Sequence, residues 1–220
     1  MDFSNKKLFI WDFDGCFVDS ELAHYVAYLF AFQNQNIPLK MSLNDYYPSF
    51  THLGDGTGSY LKKLGIPFDP KIIIESKKEI YLNIIKQIVI PVFPKIPDIL
   101  DKMRKLSGRI GIASNSHILD IEIILSHFNI PLDFIVGRDP LLKPKPSPDI
   151  FLKALGTTDP KKALVFEDSE RGLAAAAAAG IEAIWVQTPL NQNLSSQYPY
   201  CARLTHQQID DLLTQTLNKD

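Results

Sequence analysis

Short runs of apolar residues alternate with segments of helical periodicity along most of the chain. Five runs have the length of buried strands and are bounded by turn or polar residues, at 8–11, 109–113, 133–137, 163–166 and 183–186. Between them, the stretches 118–128 and 149–155 carry apolar residues at spacings of three and four, as amphipathic helices do. This alternation predicts an α/β fold in which a doubly wound parallel sheet has helices on both faces.

Residues 19–88 have a different pattern, with helical periodicity and no convincing strand. Helices are predicted for the aromatic-rich stretch 22–32 and for 60–64 and 72–88. A stretch with three prolines then precedes the return to the alternating pattern. We therefore predict a helical cap domain at 18–89, inserted into a core domain formed by 1–17 and 90–220. We expect this cap to cover the carboxyl edge of the sheet as a lid.

Composition and charge limit the classes of function. The 220 residues carry a net charge of −2 with no basic cluster, which argues against nucleic acid or an anionic membrane as partner. The two cysteines, Cys16 and Cys201, offer no disulfide framework and fit a reducing compartment. No stretch resembles a signal peptide or reaches the length of a membrane helix. We expect a cytoplasmic protein and, as the simplest oligomeric state, a monomer.

Polar residues follow the predicted strands at the edge where open α/β sheets bind their ligands. Asp12 and Asp14 follow the first strand, and their spacing of two places both carboxylates on one face. Gly15 would let a ligand approach the backbone closely. The other groups are Ser114 with Asn115, Lys145, and Glu167 with Asp168. Paired carboxylates at this edge suit a magnesium-assisted reaction on an anionic substrate.

Each of these groups also has a purely structural interpretation. The two aspartates after the first strand could form a solvated acidic turn. Ser114 and Asn115 could cap the following helix, as serine and asparagine often do, and Asp168 could simply begin another. The string KPKPSPD contains Lys143 and Lys145, and either could be a solvated loop charge. The four groups together favour function, because their convergence on one edge is less expected by chance than any single motif.

The whole set resembles the haloacid dehalogenase superfamily of phosphotransferases, in the branch whose helical cap is inserted after the first motif. DFDGCFVDSE resembles the first motif, with Cys16 where threonine or valine is usual. IASNS resembles the second motif, KPSPDIF the third and FEDSERGLAAAAAAG the fourth. The match extends from Leu8 to about Val186. It implies a Rossmann-like core with a helical cap, and a Mg²⁺-dependent phosphatase that acts on a small phosphorylated metabolite.

The resemblance also implies roles for the acidic residues. Asp12 would attack phosphorus and form an aspartyl-phosphate. Asp14 would protonate the leaving alcohol and then activate the hydrolytic water. Mg²⁺ would be held by Asp12, the backbone carbonyl of Asp14 and Asp168. Glu167 is expected to contact the metal only indirectly, either by supporting its ligands or through a water molecule. The reason is that neighbouring strand residues face opposite ways.

The same resemblance places the phosphate-binding groups. Ser114 and the adjacent amide of Asn115 would bind the phosphoryl oxygens. Lys145 would add a compact positive charge beside the nucleophile. We choose Lys145 over Lys143 because the sequence after Lys145 has the family's spacing.

Substrate selection is expected to depend on the cap. His24, twelve residues after Asp12, could contact substrate or be an ordinary histidine between cap and core. Residues 50–59, with Gly54, Gly56 and Gly58, are predicted as a flexible selecting loop, although they could equally be a plain helix connection. His52 lies in the same stretch, and its role stays open.

A phosphosugar mutase of the β-phosphoglucomutase kind is the main alternative function. Mutase-like members tend to show Ser-Ala-Ser-Lys at the second motif. Residues 114–117 of this chain are Ser-Asn-Ser-His, which favours a phosphatase. Metal-free dehalogenation is disfavoured because halide displacement needs no acid at Asp14.

Overall fold

The computed structural model describes residues 3–53 and 56–219. Within them, six parallel strands form one sheet of order β3-β2-β1-β4-β5-β6. The strands are β1 (Leu8–Trp11), β2 (Arg109–Ala113), β3 (Phe134–Val136), β4 (Ala163–Glu167), β5 (Glu182–Val186) and β6 (Ala202–Leu204). The predicted doubly wound fold and its five strands are confirmed. Strand β6 is additional, because three half-buried residues that include an arginine leave no periodic signal.

Helices cover both faces of this sheet and fill the segment between β1 and β2. That segment holds α1 (Glu21–Gln33), α2 (Leu43–Tyr46), a π-helical turn (Tyr47–His52), α3 (Gly56–Lys63) and α4 (Pro70–Gln87). The core holds α5 (Ile96–Lys105), α6 (Ile118–Leu125), α7 (Asp149–Leu155), a 3₁₀ turn (Pro160–Lys162), α8 (Glu170–Ala178) and α9 (His206–Leu217). No helix of the described residues is both long and apolar enough to cross a membrane.

Side chains of the central strands alternate between two apolar clusters. Phe9 and Trp11 of β1 belong to the cluster that also contains residues of α5 and α9. Leu8 and Ile10 belong to the opposite cluster, with residues of α7 and α8. Because both faces are covered, all four residues of β1 are fully buried. This explains why β1 is a continuous apolar run in the sequence.

The helices α1–α4 form a third apolar cluster above the carboxyl edge of the sheet. It is built around Phe32, Phe50 and Tyr60, whose rings lie 5.4–6.5 Å apart. The predicted loop over 50–59 is mostly helical, since its first residues belong to the π-helical turn and Gly56–Ser59 begin α3. Gly54 lies outside the described residues. The alternative of a helix connection describes this stretch better than a flexible loop.

The chain enters and leaves the cap helices through two segments that run side by side. Val18 and Val92 form an antiparallel bridge. The backbone N–H of Asp19 donates to the carbonyl of Pro91 at 2.9 Å, and that of Phe93 donates to the carbonyl of Phe17 at 3.1 Å. These paired segments lie close to the predicted domain boundaries at 17/18 and 89/90.

Strand β1 lies between β2 and β4, where the winding direction of the chain reverses. Ligands of doubly wound sheets bind at the carboxyl ends of the strands beside such a reversal. Asp12 comes directly after β1, and its backbone N–H donates to the carbonyl of Phe166 in β4 at 2.9 Å. A ligand site is therefore expected in the space above the carboxyl ends of β1 and β4.

Candidate active site

The predicted polar groups meet around one cavity of about 290 Å³ between the sheet edge and the cap helices. Each comes from the end of a different strand or from the loop that follows it. The cap contributes residues of α1, α2, the π-helical turn and α4. The core residues predicted from sequence that line it are Asp12, Asp14, Ser114, Asn115, Lys145, Glu167 and Asp168.

Lys145 lies at the centre of the acidic groups. Its Nζ is 2.5 Å from Asp12 Oδ1 and 2.9 Å from Glu167 Oε1, and the residue is 3% exposed. Its backbone N–H donates to the Asn115 side-chain oxygen at 2.9 Å, and Arg171 donates to its carbonyl at 2.5 Å. Together these contacts orient the ammonium group toward Asp12.

Lys143 is placed differently, although only one residue separates it from Lys145. Its side chain is exposed, and its backbone N–H donates to Asp149 at 3.0 Å. The structure therefore brings Lys145, and not Lys143, beside the predicted nucleophile.

Asp12, Glu167 and Asp168 form a cluster in which one oxygen of each lies within 4.8 Å of the others. In the part of the chain that the structure describes, Lys145 is the ammonium group that contacts this cluster, so three buried carboxylates face one positive charge. Burial, opposed by Lys145 and reinforced by Glu167, raises the pKa of Asp12 to about 7. Burial, reinforced by Glu167 and Asp12, raises the pKa of Asp168 well above its ordinary value.

An all-oxygen cluster with uncompensated negative charge fits a hard divalent cation such as Mg²⁺. Such a cation would favour the ionised carboxylates that burial disfavours. Gly15 leaves room for the cluster, because a Cβ atom at this position would lie 2.5 Å from Asp168 Oδ2. Its φ of +73° also lies in the region that favours glycine.

Asp14 points its carboxylate away from this cluster and toward hydroxyl groups and a histidine. Oδ1 accepts a hydrogen bond from the Ser20 hydroxyl at 2.6 Å and lies 3.0 Å from His24 Nε2. Oδ2 accepts a hydrogen bond from the Ser116 hydroxyl. Burial alone would raise the pKa of Asp14, but His24 and the two hydroxyls outweigh it and hold the pKa well below its ordinary range. With its side chain engaged here, the backbone carbonyl remains the metal ligand predicted for Asp14.

His24 connects Asp14 to a lysine of the cap that the sequence analysis missed. Lys77 Nζ of α4 lies 2.7 Å from His24 Nδ1. Because an ammonium group can only donate, Nδ1 accepts from Lys77 and Nε2 carries the hydrogen that Asp14 accepts. The Tyr81 ring stacks on His24 with centroids 3.9 Å apart. Burial lowers the pKa of Lys77 to about 8, against the opposing effect of Asp14.

Ser114 and Asn115 do not occupy the N-cap of the following helix. The N-cap of α6 is His117. Ser114 is 2% exposed, and its Oγ accepts a hydrogen bond from the backbone of Ser116 at 3.1 Å. Asn115 instead holds the backbone of Lys145. The capping interpretation is therefore wrong for both residues.

Glu167 is fixed by hydrogen bonds on the core side of the cavity. Besides Lys145, its carboxylate accepts hydrogen bonds from the backbone N–H of Ser169 at 2.8 Å and from the Ser169 hydroxyl at 3.0 Å. Gly172 of α8 leaves the space that this side chain occupies, because a Cβ there would lie 1.7 Å from Glu167 Oε1. Glu167 thus lies near enough to join the carboxylate cluster while it positions Lys145.

Several cavity residues carried no separate signal in the sequence. Glu21 ends the string quoted for the first motif, and its Oε2 accepts a hydrogen bond from Thr51 at 3.0 Å. Burial and Asp14 raise the pKa of Glu21 to about 8. Lys77, Arg138 and Arg171 come from three separate segments and could be located only once the chain was folded.

His52, the other histidine singled out in the cap, does not line the cavity. It is 3% exposed, and its Nδ1 accepts a hydrogen bond from the backbone N–H of Glu170 at 3.1 Å. It therefore joins the cap to the start of α8.

Comparisons with known proteins agree with this arrangement. Residues 9–186 match the family model of haloacid dehalogenase-like hydrolases. Phosphoglycolate phosphatase from Aquifex aeolicus is 26% identical over 208 residues, which cover 86% of this chain and 89% of that protein. Beta-phosphoglucomutase from Bacillus subtilis is 27% identical over 194 residues, 82% and 83% of the two chains.

A solved structure shows the same fold. The crystal structure of CbbY from Rhodobacter sphaeroides in complex with phosphate has a TM-score of 0.74 at 22% identity, covering 94% of this chain and 96% of that one. The family match spans most of the present chain, including all four strand-end groups. The chain belongs to the haloacid dehalogenase-like hydrolases, a family of enzymes.

Proposed function

We propose that this enzyme is a Mg²⁺-dependent phosphomonoester hydrolase that acts on a small phosphorylated metabolite through an aspartyl-phosphate on Asp12. This proposal rests on the different surroundings of the two carboxylates Asp12 and Asp14. Asp12 contacts an ammonium group within a carboxylate cluster, whereas Asp14 contacts two hydroxyls and a histidine. Such a division suits one nucleophile and one acid–base group.

In the first half of the reaction, Asp12 attacks phosphorus and the bond to the substrate oxygen breaks. Asp14 is ionised before the substrate binds, so it first takes up a proton from the bound phosphate monoanion or from solvent and then gives it to the departing alkoxide. Lys145, Ser114 and the amide of Asn115 hold the phosphoryl oxygens. When bound by Asp12, Asp168 and the carbonyl of Asp14, Mg²⁺ would neutralise charge on the phosphoryl group.

In the second half, Asp14 takes a proton from water, whose oxygen attacks phosphorus. Inorganic phosphate leaves and the Asp12 carboxylate is restored. Asp14 is ionised after the first half, and this is the form that accepts the proton of the water.

We also propose that the cap helices form a lid over the core domain. We propose the division predicted from sequence, with 18–89 as cap and 1–17 with 90–220 as core. Glu21, Lys77 and Thr51 reach the cavity from the cap side and would contact the part of the substrate that is not transferred. A cytoplasmic, monomeric enzyme remains part of the proposal.

A screen of phosphorylated metabolites with Mg²⁺, with release of inorganic phosphate as readout, tests this function. We expect Asp12→Asn to lower turnover of any substrate found by more than about a thousandfold while the circular dichroism spectrum is unchanged. Asp19→Asn is the matched control, since Asp19 lies on the same segment with an exposed side chain. Substantial turnover by Asp12→Asn would exclude the covalent mechanism.

A phosphosugar mutase remains the second candidate, because a β-phosphoglucomutase is about as similar to this chain as a phosphatase is. Incubation with β-glucose 1-phosphate and Mg²⁺ separates the two. We expect free phosphate without glucose 6-phosphate. Formation of glucose 6-phosphate with little free phosphate would identify a mutase instead.

A further inference from the structure

One turn of the cap contacts the loop that carries a proposed metal ligand. The π-helical turn Tyr47–His52 has a fully buried tyrosine at its first position and a buried histidine at its last. Tyr47 contacts Asp168, and His52 contacts Glu170 two residues further along. The His52 ring also stacks on Trp185 of β5, with centroids 5.8 Å apart.

The Tyr47 hydroxyl has two acceptors within reach, Asp168 Oδ2 at 2.7 Å and the Asp168 carbonyl at 3.0 Å. The carbonyl already accepts hydrogen bonds from Trp185 Nε1 at 2.9 Å and from Asn191 Nδ2 at 3.0 Å. A carbonyl oxygen has two lone pairs, so these donors satisfy it. The proton of Tyr47 is therefore left for the carboxylate.

This hydrogen bond restrains how Asp168 faces the carboxylate cluster. Oδ2 lies against Gly15 on one side and accepts from Tyr47 on another. The carboxylate keeps its remaining lone pairs for a cation. Groups that hydrogen-bond a metal-ligating carboxylate in this way fix its orientation and tune the affinity of the site.

We propose that Tyr47 is a positioning residue that orients Asp168 for the divalent cation, so that cation affinity depends on the cap lying against the core. The proposal rests on the Mg²⁺ site of the proposed function. Because coupling between two equilibria is reciprocal, the bound cation must in turn strengthen the contact between the turn and residues 168–170.

The first test compares Tyr47→Phe with the wild type by calorimetric titration of the metal-free protein with Mg²⁺. The substitution removes the hydroxyl and keeps the buried ring. We expect the dissociation constant for Mg²⁺ to rise about tenfold to a hundredfold. Turnover should recover at saturating Mg²⁺ with the substrate KM unchanged, which a general loss of structure would not produce.

Tyr60→Phe is the matched control. Tyr60 is another buried cap tyrosine, and its hydroxyl bonds only to the backbone of Pro38 and Lys40 among the described residues. We expect its Mg²⁺ affinity to equal that of the wild type. Equal affinity in Tyr47→Phe and the wild type would overturn the proposal.

A measurement on the wild type covers the case in which Tyr47→Phe does not fold. Mg²⁺ should slow amide hydrogen exchange in residues 47–52 and leave exchange in α3 unchanged. Unchanged exchange in the turn on Mg²⁺ saturation would contradict the coupling. A wild-type protein that does not bind Mg²⁺ would instead refute the proposed function, so the two failures are distinguishable.

Discussion

Glu21 is a carboxyl group that the fold keeps almost entirely from solvent. It is 2% exposed in the first turn of α1, and the Thr51 hydroxyl donates to its Oε2. Burial, followed by repulsion from Asp14, raises its pKa from 4.5 to about 8. A carboxyl whose pKa is raised by folding binds its proton more tightly in the folded state, so its contribution to stability is lost as the pH rises through that range.

Glu21→Gln should therefore change how stability depends on pH. The amide resembles the protonated acid and does not titrate. We expect the variant to gain stability over the wild type between about pH 5 and about pH 8, by a few kcal/mol, because each pKa unit corresponds to about 1.4 kcal/mol. Urea denaturation at both pH values measures this. A difference between the two proteins that is independent of pH would contradict the assignment.

Lys145 provides a second prediction at the scale of one residue. Lys145→Met should abolish turnover and lower the free energy of unfolding by about 3–5 kcal/mol, because it leaves buried carboxylates without their partner. Lys143→Met is the control and should cost less than about 0.5 kcal/mol, since that side chain is exposed. Thermal denaturation and phosphate release measure both effects. Similar losses in the two variants would argue against the pairing of Lys145 with Asp12.

Sequence reasoning located residues whose chemistry is tied to a strand end, and it missed those that reach the site from elsewhere. Asp12, Ser114 and Asp168 each follow a recognisable apolar run, so the parallel sheet brings them together. Lys77 lies in the middle of α4, and in the sequence its charge is one of several along that helix. Only the packing of α4 against α1 shows that it meets His24.

At the scale of elements, α8 packs directly against the Glu167 side chain at the end of β4. The small side chains of its alanines let the helix lie close to the sheet, and Gly172 leaves the space that the Glu167 side chain fills. The alanines can be interpreted from the sequence alone, because alanine has a high helix propensity. Gly172 cannot, because the side chain that needs this space comes from the preceding strand.

Substitution of this glycine tests the packing. Gly172→Ala should destabilise the protein by about 1–3 kcal/mol through overpacking and should reduce turnover by displacing Glu167 from Lys145. Gly58→Ala places the same methyl group in α3, where the nearest atom is 4.0 Å away, and should be neutral or stabilising by up to about 1 kcal/mol. Denaturation midpoints of the two variants check this, and a tolerated Gly172→Ala would show that Glu167 has room to move.

Element boundaries in the cap were the least predictable part of the fold. α4 is close to its predicted span, because its apolar residues recur with helical periodicity along the helix. The stretch from Leu43 to His52 is instead an α-helical turn followed by a π-helical one. Its aromatic residues pack among the cap helices, so tertiary contacts and not local periodicity define it.

At the scale of the whole molecule, the carboxylate cluster links metal binding to the stability of the fold. Mg²⁺ at about a hundred times its dissociation constant should stabilise the wild type by about 2.7 kcal/mol and raise Tm by roughly 5–10 °C. Mg²⁺ should not stabilise the Asp168→Asn variant in this way. Removal of Mg²⁺ with EDTA should abolish turnover of the wild type. Differential scanning calorimetry with and without Mg²⁺ measures the shift. Undiminished activity in EDTA would argue against a metal-dependent mechanism.

The pairing of Val18 with Val92 has a consequence for how such enzymes diversify. Because both ends of the intervening helices are hydrogen-bonded neighbours, the core closes the same short gap whatever lies between them. A longer, shorter or unrelated insert could replace these helices at little entropic cost to the core, since loop-closure entropy grows only slowly with length. On the proposed function, the hydrolytic chemistry belongs to the core and the choice of metabolite to the inserted helices, so replacement of these helices would change specificity and leave the chemistry in place.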